Sequence, residues 1–164
     1  MDRKEKIILS DTKGEKVEFI IIVLENIAGN YQFAKALTKF ADPSKLEGIE
    51  QKAVIKIFES CVKHPVLFGG SESVNSILTK SSDKKILVKN GADGVFVAVI
   101  PQEKVSVVVK IKDGNMKAAE VAIAGILREL KFLENDETKS LSSQPILNST
   151  ITKIGKMEWI SSLK

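Results

Sequence analysis

Lys89 is the residue best placed to do chemistry. It ends a short apolar run, residues 85–89, and the glycine-bearing stretch Asn90-Gly91-Ala92-Asp93-Gly94 follows at once. A lysine at a strand end beside such a turn is placed to face a cleft, where an ammonium holds substrate charge or moves a proton. A nucleophile for it to serve would be a serine with a lysine one helical turn later, able to take its proton. Five pairs have that spacing: Ser10 with Lys13, Ser60 with Lys63, Ser81 with Lys84, Ser82 with Lys85 and Ser161 with Lys164. A chain rich in serine and lysine produces such pairs by chance. Ser60 lies at the end of a helical pattern rather than its start, and Ser10 and Ser161 lie in polar termini.

The remaining reactive types point elsewhere. His64 is the only histidine and precedes Pro65, which suits a residue closing a helix. Cys61, the only cysteine, excludes an internal disulfide and offers no thiolate cluster. It falls on an apolar helical stripe and reads as a small core residue. Asp93 and Asp113 each precede a glycine and read as turn aspartates. No metal site or cofactor is expected.

These residues need elements to hold them. Three runs rich in Val and Ile, residues 85–89, 95–100 and 105–111, are too short for amphipathic helices. The breaks between them are 90–94 and 101–104, with Asp113-Gly114 after the third, so the pattern predicts an antiparallel meander. Upstream, Leu24, Ile27, Ala28, Tyr31, Ala34, Leu37 and Ala41 recur at helical spacing. Asp42-Pro43-Ser44 then starts a second helix, with Asp42 as cap or Ser44 boxed with Glu47. Its predicted inner face is Ile49, Ala53, Val54, Ile57, Phe58 and Cys61, and it stops before Pro65. Ser71 or Ser73 caps a short helix carrying Val74, Ile77 and Leu78. Residues 116–133 form the strongest helical pattern, 134–144 a polar loop, and 150–159 a closing strand that can return beside the others. Residues 1–18 are a polar lead-in with weak strand character at Ile7-Ile8-Leu9, and 19–164 make a single domain. Residues 19–23 fit a strand or the approach to a helix. The fold class is α/β in the segregated sense: helices, an antiparallel sheet, a helix on that sheet and a closing strand.

Composition narrows the setting. The 164 residues are 43% hydrophobic and 28% charged, ordinary globular values that support a core without staples. No uninterrupted apolar stretch approaches the ~18 residues of a membrane span, and the N-terminus lacks a signal-peptide pattern, so a cytoplasmic protein is expected. The net charge is +4, but its lysines are dispersed and only Arg3 and Arg128 are arginine, so no nucleic-acid partner is expected.

Ordered segments carry a resemblance. Leu24-Glu25-Asn26-Ile27-Ala28, the Phe58-to-Pro65 segment FESCVKHP, VKNGADGV at 88–95, VKIKDG at 109–114, Pro145-Ile146-Leu147-Asn148 and Gly155 occur in sequence. Together they resemble the type II, bacterial thermolabile-type L-asparaginases, the serine-lysine class. The resemblance spans about residues 20–157 and corresponds to the C-terminal half of that family. It implies the β-lactamase/penicillin-binding-like fold, in which a Lys-x-Gly strand edges the active site. The implied reaction is hydrolysis of L-asparagine to L-aspartate and ammonia, with asparagine as the small-molecule amide substrate. On this basis Lys89 takes the catalytic position, and Asn90, Gly91, Ala92, Asp93 and Gly94 line the substrate pocket. The family's nucleophilic Ser-x-x-Lys and its cysteine-bearing zinc segment lie upstream of the matching residues. Positions 11–18 read DTKGEKVE, without the family's cysteine, so the metal-binding part does not carry over. The implied partner is a polypeptide carrying the N-terminal half, or a further copy of the chain. The alternative is a non-catalytic remnant of a split or decaying gene that retains the fold.

Overall fold

A computed structural model describes residues 4–10, 16–23 and 27–160. Its centre is a five-stranded sheet in the order β1-β2-β5-β4-β3. The strands are β1 (Lys4–Ser10), β2 (Lys16–Val23), β3 (Leu87–Asn90), β4 (Val95–Ile100) and β5 (Val105–Lys110). The expected meander is present: β3 pairs antiparallel with β4, and β4 with β5, in the registers Lys89↔Val97 and Val97↔Val108. The weak strand signal at Ile7–Leu9 corresponds to β1, paired antiparallel with β2. Because β2 runs parallel to β5, the sheet is mixed rather than wholly antiparallel.

Alternation along the strands gives the sheet two apolar faces. Val88, Phe96, Ala98, Val107 and Val109 face one way, toward α4 (Val74–Ser81) and α5 (Met116–Glu129). Leu87 and Val99 face the other way. There they meet Ala41 and Leu37 of α1 (Ile27–Ala41), Val62 and Phe58 of α2 (Gly48–Lys63), and Phe68 of α3 (Pro65–Gly69). The molecule is thus layered, with helices on both faces of a sheet.

Side-chain caps set the starts of α4 and α5. Ser73 Oγ accepts from the Ser76 N–H and starts α4. Asn115 does the same for α5 through the Ala118 N–H. Helix α5 stops at Glu129, short of the predicted 133. Lys131 takes a left-handed conformation (φ 60°), and the Phe132 and Lys131 N–H groups bond back to the Leu127 and Arg128 carbonyls. That is a Schellman closure with lysine where glycine is usual.

Four expectations are corrected. Residues 134–144 are not simply a loop, for Asn135 and Thr138 form a reciprocal capping box that starts α6 (Asp136–Leu141). The closing strand, β7 (Lys153–Glu158), does not return to the main sheet but pairs with β6 (Ser143–Leu147) in a separate hairpin. Helix α2 is capped neither by Asp42 nor by a Ser44–Glu47 box. Asp42 instead receives the Ser44 hydroxyl, and residues 43–45 form a 3-10 turn. The inner face of α2 is only partly as predicted: Phe58 and Cys61 pack inward together with Val62, while Ala53, Ile49 (85%) and Ile57 (48%) are exposed.

Candidate functional site

Lys89 sits on edge strand β3, on the sheet face that meets α1, α2 and α3. Its Nζ donates to the Asn90 carbonyl (2.9 Å) and to Asn90 Oδ1 (2.8 Å), and it lies 5.8 Å from the centroid of the Phe68 ring. An ammonium has three protons to donate. Among the described residues these two bonds leave one ammonium proton without an acceptor, and the side chain is half-buried. Both acceptors belong to the neighbouring residue, so the position of the charge depends on how Asn90 is held.

Asn90 is held from α4. Its N–H donates to Asn75 Oδ1 at 2.9 Å, and its Oδ1 accepts from Asn75 Nδ2 at 2.6 Å. Asn75 is 3% exposed in the first turn of α4. That turn is fixed in turn by the Ser73 cap and by the Ser76 hydroxyl, which donates to the Pro65 carbonyl at 2.8 Å.

The rest of the predicted wall follows a separate course. Gly91 does not adopt a left-handed conformation; its N–H donates to the Val95 carbonyl, while Gly91 and Ala92 lie exposed at the tip. Asp93 (φ 57°) and Gly94 (φ 70°) make the reversal. Gly94 abuts the Gly114 backbone so closely that a Cβ at Gly94 would collide with it, and a Cβ at Gly114 would strike the Asp93 carboxylate. The two Asp-Gly turns therefore pack against each other. Lys110 closes this joint, donating to the Asp93 and Ile111 carbonyls at 2.7 Å each and pairing with Asp93 Oδ2 at 3.0 Å. Lys89 and Asn90 are thus tied to α3 and α4, whereas Asp93 and Gly94 are tied to the β5–α5 turn. Asp93 has a structural partner, and Asp113 Oδ1 accepts from the Asn115 N–H as a turn residue does.

Among the described residues, Ser60, Ser81 and Ser82 each bond to backbone rather than to a lysine. Ser60 Oγ donates to the Lys56 carbonyl inside α2. Ser81 Oγ donates to the Leu78 carbonyl. Buried Ser82 donates to the Thr79 carbonyl and accepts from the Ile86 N–H, closing the α4–β3 turn. Lys13, Ser161 and Lys164 lie outside the described residues. Burial raises the Cys61 thiol above its ordinary pKa, as suits a residue on the inward face of α2. His64 joins α2 to α3 through its backbone, its N–H donating to the Ser60 carbonyl and its C=O accepting from Leu67. Beside it, Lys63, Leu67, Lys80, Asp83 and Lys84 line an open cleft of about 420 Å³. The carboxyl ends of α2 and α4 lie there, so its lysines answer helix dipoles. Among the described residues no three His, Cys, Asp or Glu are grouped to hold a metal ion, and no helix is long and apolar enough to cross a membrane.

The family model for L-asparaginase II matches residues 27–159, from the start of α1 to the end of the β6–β7 hairpin. The chain belongs to the L-asparaginase II family. No curated protein matches it. The matched span holds the meander, Lys89 and the glycine turn, together with the Asn75 and Phe68 contacts. Asn75, Phe68 and Lys110 are the site residues that sequence reasoning missed. No local pattern marks them, because each acts through a partner at least 15 residues away in the chain.

Proposed function

We propose that this chain is the C-terminal portion of an L-asparaginase-like amidohydrolase that converts L-asparagine to L-aspartate and ammonia. It would complete its site with a segment supplying the serine nucleophile. The observation that carries this reading is the fixed ammonium of Lys89 at a strand end, beside the glycine turn and within the family match. In that role Lys89 approaches the serine supplied by that segment and relays its proton, while residues 90–94 border the amide substrate. The layered sheet with helices on both faces supports the β-lactamase-like arrangement expected of this half. The second reading, a fold retained without chemistry, draws on one specific observation. Among the described residues Lys89 has no serine partner, its Nζ bonds going to Asn90 alone.

Ammonia release from asparagine separates the two readings. Residues 1–164 alone are expected to be inactive, and co-expression with a family N-terminal half bearing Ser-x-x-Lys is expected to restore turnover. Loss of a positioned proton-transfer group lowers rates by about a hundred- to ten-thousand-fold, so Lys89→Ala in the restored pair is expected to fall in that range. Turnover that never appears with any such partner would favour the remnant.

A further inference from the structure

We infer that Asn75 is a positioning residue for Lys89, acting through the amide of Asn90. The inference rests on the proposed role of Lys89 as the group that faces the substrate. The backbone N–H of Asn90 requires an acceptor, and Asn75 Oδ1 supplies it. That orientation turns Asn75 Nδ2 toward the Asn90 side chain, where only an oxygen can receive it. Asn90 Oδ1 is thereby fixed in place, and the same oxygen accepts from Lys89 Nζ. With the Asn90 amide reversed, an NH₂ group would confront the ammonium and the bond would be lost. Asn75 thus decides which end of Asn90 meets Lys89, and so where the charge of Lys89 rests. A purely structural link between α4 and β3 has no need of this second bond. Buried Thr79 provides such a link, its Oγ1 accepting from the Val88 N–H at 3.0 Å without reaching Lys89. The two residues give a matched pair, since both join the same helix to the same strand and only one leads to the lysine.

Competitive labelling of the intact chain with trace acetic anhydride, read by peptide mass spectrometry, tests this without any need for turnover. Lys84, exposed on the α4–β3 turn, serves as the internal reference. In the wild type Lys89 is expected to label more slowly than Lys84. Asn75→Ala is expected to raise the relative rate at Lys89 about fivefold, the factor contributed by one hydrogen bond of ordinary net strength. Thr79→Val is expected to leave that rate within about twofold, since it removes a bond of similar strength that does not lead to Lys89. If circular dichroism shows Asn75→Ala to be unfolded, Asn75→Leu keeps the buried volume and is read in the same way. The inference is overturned if Lys89 labels as fast as Lys84 in the wild type. It is equally overturned if the Asn75 variant leaves Lys89 unchanged, or if Thr79→Val raises it equally. Failure of ammonia release would count against the proposed reaction and leave this result standing.

Discussion

At the scale of single residues, charge is held by short local contacts whose partners come from distant segments. Asp42 shows this most clearly. Burial raises its pKa, but the Ser44 hydroxyl and Lys104, whose Nζ lies 3.4 Å from Oδ2, outweigh that effect and the net shift is downward. A carboxyl depressed on folding adds stability that is present above its unfolded pKa and lost as pH falls through the folded value. The wild type is therefore expected to lose an increment of stability below about pH 4, where an unfolded aspartate titrates. Asp42→Asn is expected to be less stable at pH 7 and to show a flatter acid limb, as measured by thermal melts across pH. Asp-Pro-Ser reads as a helix start, yet Asp42 caps no helix with its side chain and stands before the 3-10 turn at 43–45. Its ion-pair partner is not legible locally, because Lys104 lies beyond three further α-helices and two strands. Lys89 divides in the same way: its strand and glycine turn can be read locally, while the Asn75 amide that governs it comes from another element.

At the scale of elements, period-two and period-3.6 patterns located the meander and helices α1, α2, α4 and α5 well, since burial on one face leaves a direct trace in the order of residues. Rotation about a helix axis leaves a weaker trace. The predicted stripe on α2 runs through Ile49 and Ile57 as well as Phe58 and Cys61, but only the latter two, with Val62, pack against the core, for a broad apolar surface fits more than one rotation. The β6–β7 hairpin shows a similar limit, because strand character alone does not name a pairing partner. Trp159, at the end of the hairpin, packs closely on α5. Trp159, the sole tryptophan, covers Gly125 so closely that an added methyl group would fall inside its side chain, and its Nε1 donates to Glu129 Oε2 at 2.7 Å. Gly125→Ala gains helix propensity but overpacks this contact, and overpacking costs about 1–3 kcal/mol. The expected result is a lower melting temperature with altered tryptophan fluorescence. Asn135→Ala, which removes half of the α6 capping box, is expected to cost about 1 kcal/mol in denaturant unfolding.

At the scale of the whole molecule, apolar side chains on the surface gather on particular elements. Ile49 and Ile57 line the outer side of α2, Leu67 on α3 is 86% exposed, and Ile151 and Ile154 of the hairpin region are 79% and 65% exposed. Concentrations of this kind favour association over a monodisperse monomer. Size-exclusion chromatography is expected to show species larger than one chain, and Ile49→Lys with Ile57→Lys is expected to shift them toward the monomer. A single sharp monomer peak from the wild type would contradict this. The chain, a member of the L-asparaginase II family, holds a fixed lysine beside a glycine turn, and among the described residues that lysine bonds to Asn90 and to no serine. The most direct measurement is ammonia release from L-asparagine by residues 1–164 mixed with a family N-terminal half bearing Ser-x-x-Lys. The expected result is no turnover by either part alone, turnover by the pair, and its loss with Lys89→Ala. Robust turnover by residues 1–164 alone, or an undiminished rate in the Lys89→Ala pair, would contradict the proposed role of this chain.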